Sequence, residues 1–243
     1  MTPEQEKILV ALDVESRAEA LALADTLRGS VGGFKIGSRL FTAEGPSMVR
    51  ALTERGDRVF LDLKYHDIPN TVATAVEAAS QLGVWMLNVH ASGGTAMMGA
   101  ACEAARNAAA KRGVAPPLVI AVTVLTSMNQ AALKETGIVI DVMDQVLRLA
   151  ELTKEAGLDG VVASPRETVA IRKRCGSDFT IVTPGIRAAD AAKDDQSRTM
   201  APAEAVAAGS SYLVVGRPII AAADPRAAAL ALFEGPKAPS RQD

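Results

Sequence analysis

Short runs of β-branched and apolar residues alternate with Ala-rich segments along the chain, and a helical pattern follows each run. The runs predict strands at 8–12, 33–36, 58–64, 86–90, 118–125, 160–163, 180–183 and 212–215. The intervening segments predict helices at 17–27, 46–55, 70–82, 95–112, 141–156, 166–173, 202–208 and 225–233. Punctuation agrees with this division. Ser16 precedes the first helix with Glu19 three residues on, the pattern of a capping box. Pro202 and Pro225 suit the first helical position, where a missing N–H does no harm. Gly83, Gly113, Gly157 and Gly209 follow helices as C-terminal stops. Only 126–140 breaks the rhythm; it needs a loop and a short helix before the next long helix. Eight β–α units of roughly 20–40 residues each predict an α/β fold, a (β/α)8 TIM barrel forming a single domain over 1–243. A doubly wound open sheet is the alternative. No linker or low-complexity stretch divides the chain, and the polar, Pro-containing tail 235–243 is expected to fray.

One strand departs from the apolar pattern. In Val59-Phe60-Leu61-Asp62-Leu63-Lys64, period-two alternation puts Val59, Leu61 and Leu63 on one face. It puts Asp62 and Lys64 together on the other, with Cα atoms roughly 6.5 Å apart. Asp67 follows just beyond the strand end. Buried charges are costly unless paired, so these residues either pair structurally or serve chemistry. A solvated surface pair is the bland alternative, and the apolar company of the strand argues against it.

Composition narrows the classes of function. The chain has 243 residues, 49% hydrophobic and 3% aromatic, with a formal net charge of −2. It lacks the basic face or stacking platforms that nucleic-acid binding requires. No apolar run approaches a bilayer span, and the first seven residues carry no signal-peptide apolar region. Cys102 and Cys175 stand far apart without metal-ligand spacing, and a reducing cytoplasm is the simplest setting. A metal site at 62–67 is disfavoured because the Lys64 cation would repel a hard metal ion.

Polar residues gather at the predicted C-terminal ends of strands, where barrels place their active sites. Asp13 ends the first strand, Lys35 and Gly37 the second, and Asp62, Lys64 and Asp67 the third. Asn88 and His90 end the fourth, and Thr123, Thr126 and Ser127 the fifth. The two histidines, His66 and His90, read as orienting or core residues rather than catalysts. Pro184-Gly185-Ile186-Arg187 follows the seventh strand, and Gly216-Arg217-Pro218 the eighth. Loops after strands seven and eight are the usual phosphate site of barrels. A glycine there admits a phosphate to backbone N–H groups, and an arginine adds a bidentate clamp.

These residues carry a family resemblance. Asp62-Leu63-Lys64-Tyr65-His66-Asp67-Ile68-Pro69-Asn70-Thr71 resembles the signature of the bacterial-type orotidine 5′-phosphate decarboxylases. Leu9-Val10-Ala11-Leu12-Asp13, Phe34-Lys35-Ile36-Gly37 and Thr123-Val124-Leu125-Thr126-Ser127 resemble strands one, two and five of that family. Thr183 to Arg187, Asp194 to Arg198 and Val215 to Ile219 resemble its phosphate-gripping segments. The resemblance implies cofactor-free decarboxylation of orotidine 5′-monophosphate to uridine 5′-monophosphate by a barrel homodimer, with no metal. It implies Lys64 as proton donor to C6 and Asp62 beside the substrate carboxylate. Asp67 and Thr71 would enter the neighbouring protomer's site, and Ile68 would contact substrate. Lys35 would complete an alternating charge row and contact the ribose, and Asp13 would bind a ribose hydroxyl. Thr126 would meet the pyrimidine edge, with Pro184 close by. Gln196, Gly216 and Arg217 would hold the phosphate, with Arg187 at the base of the loop.

The chemistry suits such a row. Loss of CO2 from C6 leaves an electron pair in the ring plane, where no ring carbonyl can delocalise it fully. Without a covalent electron sink, stabilisation has to be electrostatic. An ammonium at C6 stabilises that charge and then protonates it, and neighbouring carboxylates favour the ionised lysine. Two other readings stand beside this one: a metal-dependent sugar-phosphate aldolase or epimerase on a similar barrel, and a non-catalytic phosphate-binding barrel.

Overall fold

The structure, a computed structural model, describes residues 1–186 and 200–233. Its strands are β1 (Ile8–Ala11), β2 (Gly33–Gly37), β3 (Val59–Tyr65), β4 (Met86–His90), β5 (Leu118–Val122), β6 (Gly160–Val162), β7 (Thr180–Thr183) and β8 (Tyr212–Val215). All are parallel, and they close into a barrel in chain order. Closure falls to β1, whose Leu9 lies opposite Gly33 of β2 on one side and Val214 of β8 on the other. That pairing excludes the open, doubly wound sheet.

Helices cover the outside. They are α1 (Arg17–Leu27), α2 (Ser38–Glu44), α3 (Pro46–Thr53), α4 (Pro69–Gln81), α5 (Gly94–Arg112), α6 (Gln130–Glu135), α7 (Val142–Glu155), α8 (Thr168–Cys175), α9 (Pro202–Ala207), α10 (Arg217–Ile220) and α11 (Pro225–Ala231). Strands buried on both faces read as continuous apolar runs, and the core has two layers to match. Leu9, Phe60, Met86, Ile120 and Val182 form a small cluster, which alternation places inside the barrel. Ile8, Val10, Ile36, Leu61 and Leu87 point the other way and join the large cluster under the helices. Two residues beyond the inner cluster, the next inward positions include Ala11, Asp62, Asn88 and Val122, and here polarity enters.

Local signals explain most boundaries. Gly83, Gly113, Gly157 and Gly209 adopt φ of 78°, 64°, 80° and 106°, the left-handed stops that glycine provides. Ser16 Oγ accepts from the Glu19 N–H at 3.3 Å, but the reciprocal bond departs from a capping box: Glu19 Oε2 accepts from the N–H of Glu15, not of Ser16. The irregular stretch 126–140 contains the short helix α6, capped by Asn129 Oδ1 on the Ala132 N–H at 3.0 Å. Helices α2 and α10 are additions to the predicted set. Each starts directly at a strand end, where Gly37 and Gly216 are the N-cap residues, so no loop announces it. The fifth strand ends at Val122, before 125, because the chain turns out over the barrel mouth at Val124 and Leu125. The helix expected from 166 begins at Thr168, since Glu167 Oε2 accepts the Ser164 N–H at 2.9 Å and closes a turn first.

At the opposite end of the barrel, Arg172 ties two loops together. Its guanidinium donates to the Phe179 carbonyl at 2.7 Å ahead of β7 and to the Gly209 carbonyl at 2.6 Å ahead of β8. Cys102 and Cys175 are buried free thiols, and burial pushes both thiol pKa values up. No helix among the described residues is long and apolar enough to cross a membrane. The tail 235–243 lies outside the described residues.

Candidate active site

A cavity of about 480 Å³ opens at the C-terminal ends of the strands. Asp13, Lys35, Asp62 and Lys64 line it from the ends of β1, β2 and β3. Thr126, Pro184, Gly216 and Arg217 line it from beyond β5, β7 and β8. Val122, Val124, Val162 and Val214 supply apolar wall between them.

The four charged groups form a row of alternating sign. Lys35 Nζ lies 3.0 Å from Asp13 Oδ1 and 3.7 Å from Asp62 Oδ2, and Lys64 Nζ lies 2.7 Å from Asp62 Oδ1. Exposure differs sharply along it. The side chains of Lys35 and Asp62 are 9% and 14% exposed, whereas that of Lys64 is 36% exposed. Lys35 is therefore locked between two carboxylates, while the two ends of the row, Asp13 at 51% and Lys64 at 36%, are open. Burial by itself would raise the Asp62 pKa; the charges of Lys35 and Lys64, with hydrogen bonds from Lys64 and Asn88, outweigh it and hold the carboxyl below its ordinary value.

Simple alternation does not produce this geometry. Leu61 pairs with Leu87 and Tyr65 with Val89, so Asp62, Leu63 and Lys64 span the space opposite the single residue Asn88. The bulge turns Lys64 to φ 54°, the one positive φ at a non-glycine among the described residues. A left-handed conformation costs an L-residue roughly 1–2 kcal/mol. Asn88 stabilises the turn: it is wholly buried, its Oδ1 accepts the Lys64 N–H at 2.8 Å, and its Nδ2 donates to Asp62 Oδ1 at 2.7 Å.

Gly37 has a steric reason for being glycine. A Cβ there would stand 2.7 Å from Lys35 Nζ and 3.3 Å from Asp13 Oδ1. The far end of a lysine can move aside, so Gly37→Ala is expected to fold with little loss of stability. Displacing Lys35 by about 1 Å is expected to lower kcat by about 10²-fold. Thermal melting beside steady-state kinetics checks this; unchanged kcat in a folded variant refutes it.

His66 and His90 face each other with ring centroids 5.5 Å apart. Burial lowers the His90 pKa, and the nearby His66 and Lys64 lower it further.

Three anticipated residues stand apart from the cavity. Asp67, Ile68 and Thr71 are exposed on the turn into α4 and lie outside the cavity lining. Asp67 Oδ1 accepts the Ile68 N–H at 2.6 Å, and Ile68 is 67% exposed. Arg187, Gln196 and the segment 194–198 lie outside the described residues. Asn88 stands among the polar strand-end residues of the sequence, but sequence reasoning gives it no role in the site. The signal was present, because position 88 shares an inward face with 86 and a wholly buried amide needs partners.

The wider comparisons agree with this geometry. The model of the orotidine 5′-phosphate decarboxylase / HUMPS family matches residues 6–232. The chain is 57% identical over 229 residues to orotidine 5′-phosphate decarboxylase of Moorella thermoacetica, covering 94% of this chain and 91% of that protein. It is 55% identical to the enzyme of the same name from Syntrophotalea carbinolica, covering 95% and 94%. Among solved structures, orotidine 5′-phosphate decarboxylase from Lactobacillus acidophilus superposes with a TM-score of 0.81 at 38% identity, covering 93% and 96%. An uncharacterised conserved protein from Geobacillus kaustophilus gives a TM-score of 0.81 at 40% identity, covering 93% and 97%. With a matching fold, a charge row at the barrel mouth and sequence identity sustained over nine-tenths of the chain, the protein belongs to the orotidine 5′-phosphate decarboxylase / HUMPS family.

Proposed function

We propose that the protein decarboxylates orotidine 5′-monophosphate to uridine 5′-monophosphate, without a cofactor, as the last step of UMP synthesis. The observation that carries this reading is the Lys64 ammonium. It stands 2.7 Å from Asp62, is the more exposed of the two lysines in the charge row, and lines the cavity. The C6–carboxylate bond breaks, CO2 departs, and the electron pair stays on C6. Lys64 stabilises that charge and delivers a proton to it. Asp62 holds Lys64 in place and flanks the substrate carboxylate. Lys35, fixed by Asp13 and Asp62, contacts the ribose, and Asp13 takes a ribose hydroxyl. Thr126 meets the pyrimidine edge. Gly216 and Arg217 receive the phosphate opposite, helped by Arg187 and Gln196. Phosphate binding, remote from C6, contributes the energy for excluding water from the reacting carbon. The cavity of about 480 Å³ suits a ligand of nucleotide size.

The site is completed by a second copy of the chain. Asp67, Ile68 and Thr71 are exposed away from their own cavity. Ile68, a large apolar side chain 67% exposed, suits an interface. A monomer-forming variant is expected to lose turnover; full activity in such a monomer would break the link. A cytoplasmic setting accords with two buried free thiols, and cell fractionation tests it.

The direct test follows the absorbance of orotidine 5′-monophosphate mixed with purified protein, with no metal added and with EDTA present. Substrate loss unaffected by EDTA is expected. Absence of turnover refutes the activity, and turnover restored only by a divalent metal refutes the cofactor-free mechanism.

A further inference from the structure

We propose that Asn88 is a positioning residue of this site: its amide grips the Asp62 carboxylate and the Lys64 backbone together, and so sets where the Lys64 ammonium stands. The proposal rests on the reading of Lys64 as proton donor. Asn88 is 0% exposed and sits opposite the bulge on β3. Three residues face it where a regular ladder would place one. Leu61 and Tyr65 on either side pair with the β4 backbone, while the Lys64 N–H is taken by the Asn88 side chain at 2.8 Å.

The bonding pattern needs a side chain that both accepts and donates. The Lys64 N–H can only donate, and an ionised Asp62 carboxylate can only accept. A side chain between them has to carry one acceptor and one donor on a short stem. Asparagine supplies both, with Oδ1 toward Lys64 and Nδ2 2.7 Å from Asp62 Oδ1. The same Asp62 oxygen receives Lys64 Nζ at 2.7 Å. Backbone and side-chain ends of Lys64 are thus fixed through one carboxylate and one amide. Leucine, with the same branched outline, makes neither bond.

Two variants separate positioning from mere packing. Asn88→Leu keeps the branched outline of the side chain and loses both bonds; kcat is expected to fall about 10- to 100-fold while KM changes little. In Asn88→Asp, only the protonated acid can donate to Asp62 while still accepting from Lys64. Its kcat relative to that of the unmodified protein is expected to rise as pH falls. The groups bonded to position 88 are Asp62 and Lys64 on β3, and Lys35 on β2 stands 3.7 Å from Asp62. β5 presents the apolar Ile120 as register partner. His90 lies two residues along β4 with His66 against it. A purely structural role would give no such recovery at low pH. An Asn88→Leu enzyme with kcat within about twofold of the parent, or an Asn88→Asp ratio that is flat with pH, would overturn the proposal.

A readout independent of activity separates this proposal from the assigned reaction. In a crystal structure of Asn88→Leu, Lys64 is expected to leave its positive φ and its ammonium to leave Asp62. An unmoved Lys64 overturns the proposal even if the parent protein decarboxylates as expected. A displaced Lys64 upholds the positioning role even if the parent protein turns over some other substrate.

Discussion

Replacing Lys64 with alanine is expected to lower turnover of orotidine 5′-monophosphate by about 10⁴-fold or more, with UMP binding kept within about tenfold. On the proposed roles, the change removes the proton donor and a cation at the reacting carbon in one step, two effects each worth about 10²-fold or more on general grounds. Binding should persist because the groups assigned to ribose and phosphate, Asp13, Lys35, Gly216 and Arg217, lie elsewhere in the cavity. The fold should persist too. Asp62 keeps Lys35 at 3.7 Å and Asn88 at 2.7 Å, so its buried carboxylate is not orphaned. Steady-state kinetics with calorimetric UMP binding decide the matter. Near-normal turnover would sink the Lys64 assignment, and loss of UMP binding would show that the lysine acts mainly in recognition.

Asp62→Asn is the second large effect, and it strikes stability as well as rate. Asparagine keeps the shape but leaves Lys35, 9% exposed, with Asp13 alone. Because Lys35 keeps Asp13 at 3.0 Å, the loss of stability should fall below the about 3–5 kcal/mol of a buried charge left unpaired. Lys64 loses its anchor, and kcat should fall by about 10²-fold or more. If Asp62 also repels the substrate carboxylate, KM should fall together with kcat.

The pH dependence has a definite sign. Asp62 is held below its ordinary pKa in the folded protein. Its contribution is therefore fully present above the unfolded value, about 3.9, and is lost as pH falls through the lower folded value. The parent protein should lose stability on acidification more steeply than Asp62→Asn. Urea melts at neutral pH and near pH 3 test this, and parallel acid limbs would contradict the assignment of that charge.

Sequence patterning carried the barrel a long way, because each strand and helix signals locally through its period and its caps. Closure was not local. It depends on β1 meeting β8, residues some 200 positions apart, and alternation alone left an open sheet in play. Helices α2 and α10 went unseen because they are short and start directly at strand ends, so Gly37 and Gly216 read as strand-end glycines rather than as caps. In the site, Asp13, Lys35, Asp62, Lys64, Thr126, Pro184, Gly216 and Arg217 were legible as polar or shaped positions at strand ends, and they line one cavity. Asn88 was harder. A single amide at a strand end means little until its neighbour strand is known to bulge, and a bulge is a property of two strands. Gly37 shows the same limit: it marked the strand end in the sequence, but its clearance for Lys35 exists only in three dimensions.

The left-handed backbone at Lys64 sets two selective pressures against each other. Glycine would relax that backbone at once, and it would delete the ammonium with it. A library of variants screened for heat resistance alone should therefore enrich glycine at position 64 and accumulate durable, inert barrels. Any programme to harden this protein has to score product formation in the same round, because at this one residue toughness and chemistry are inherited as alternatives.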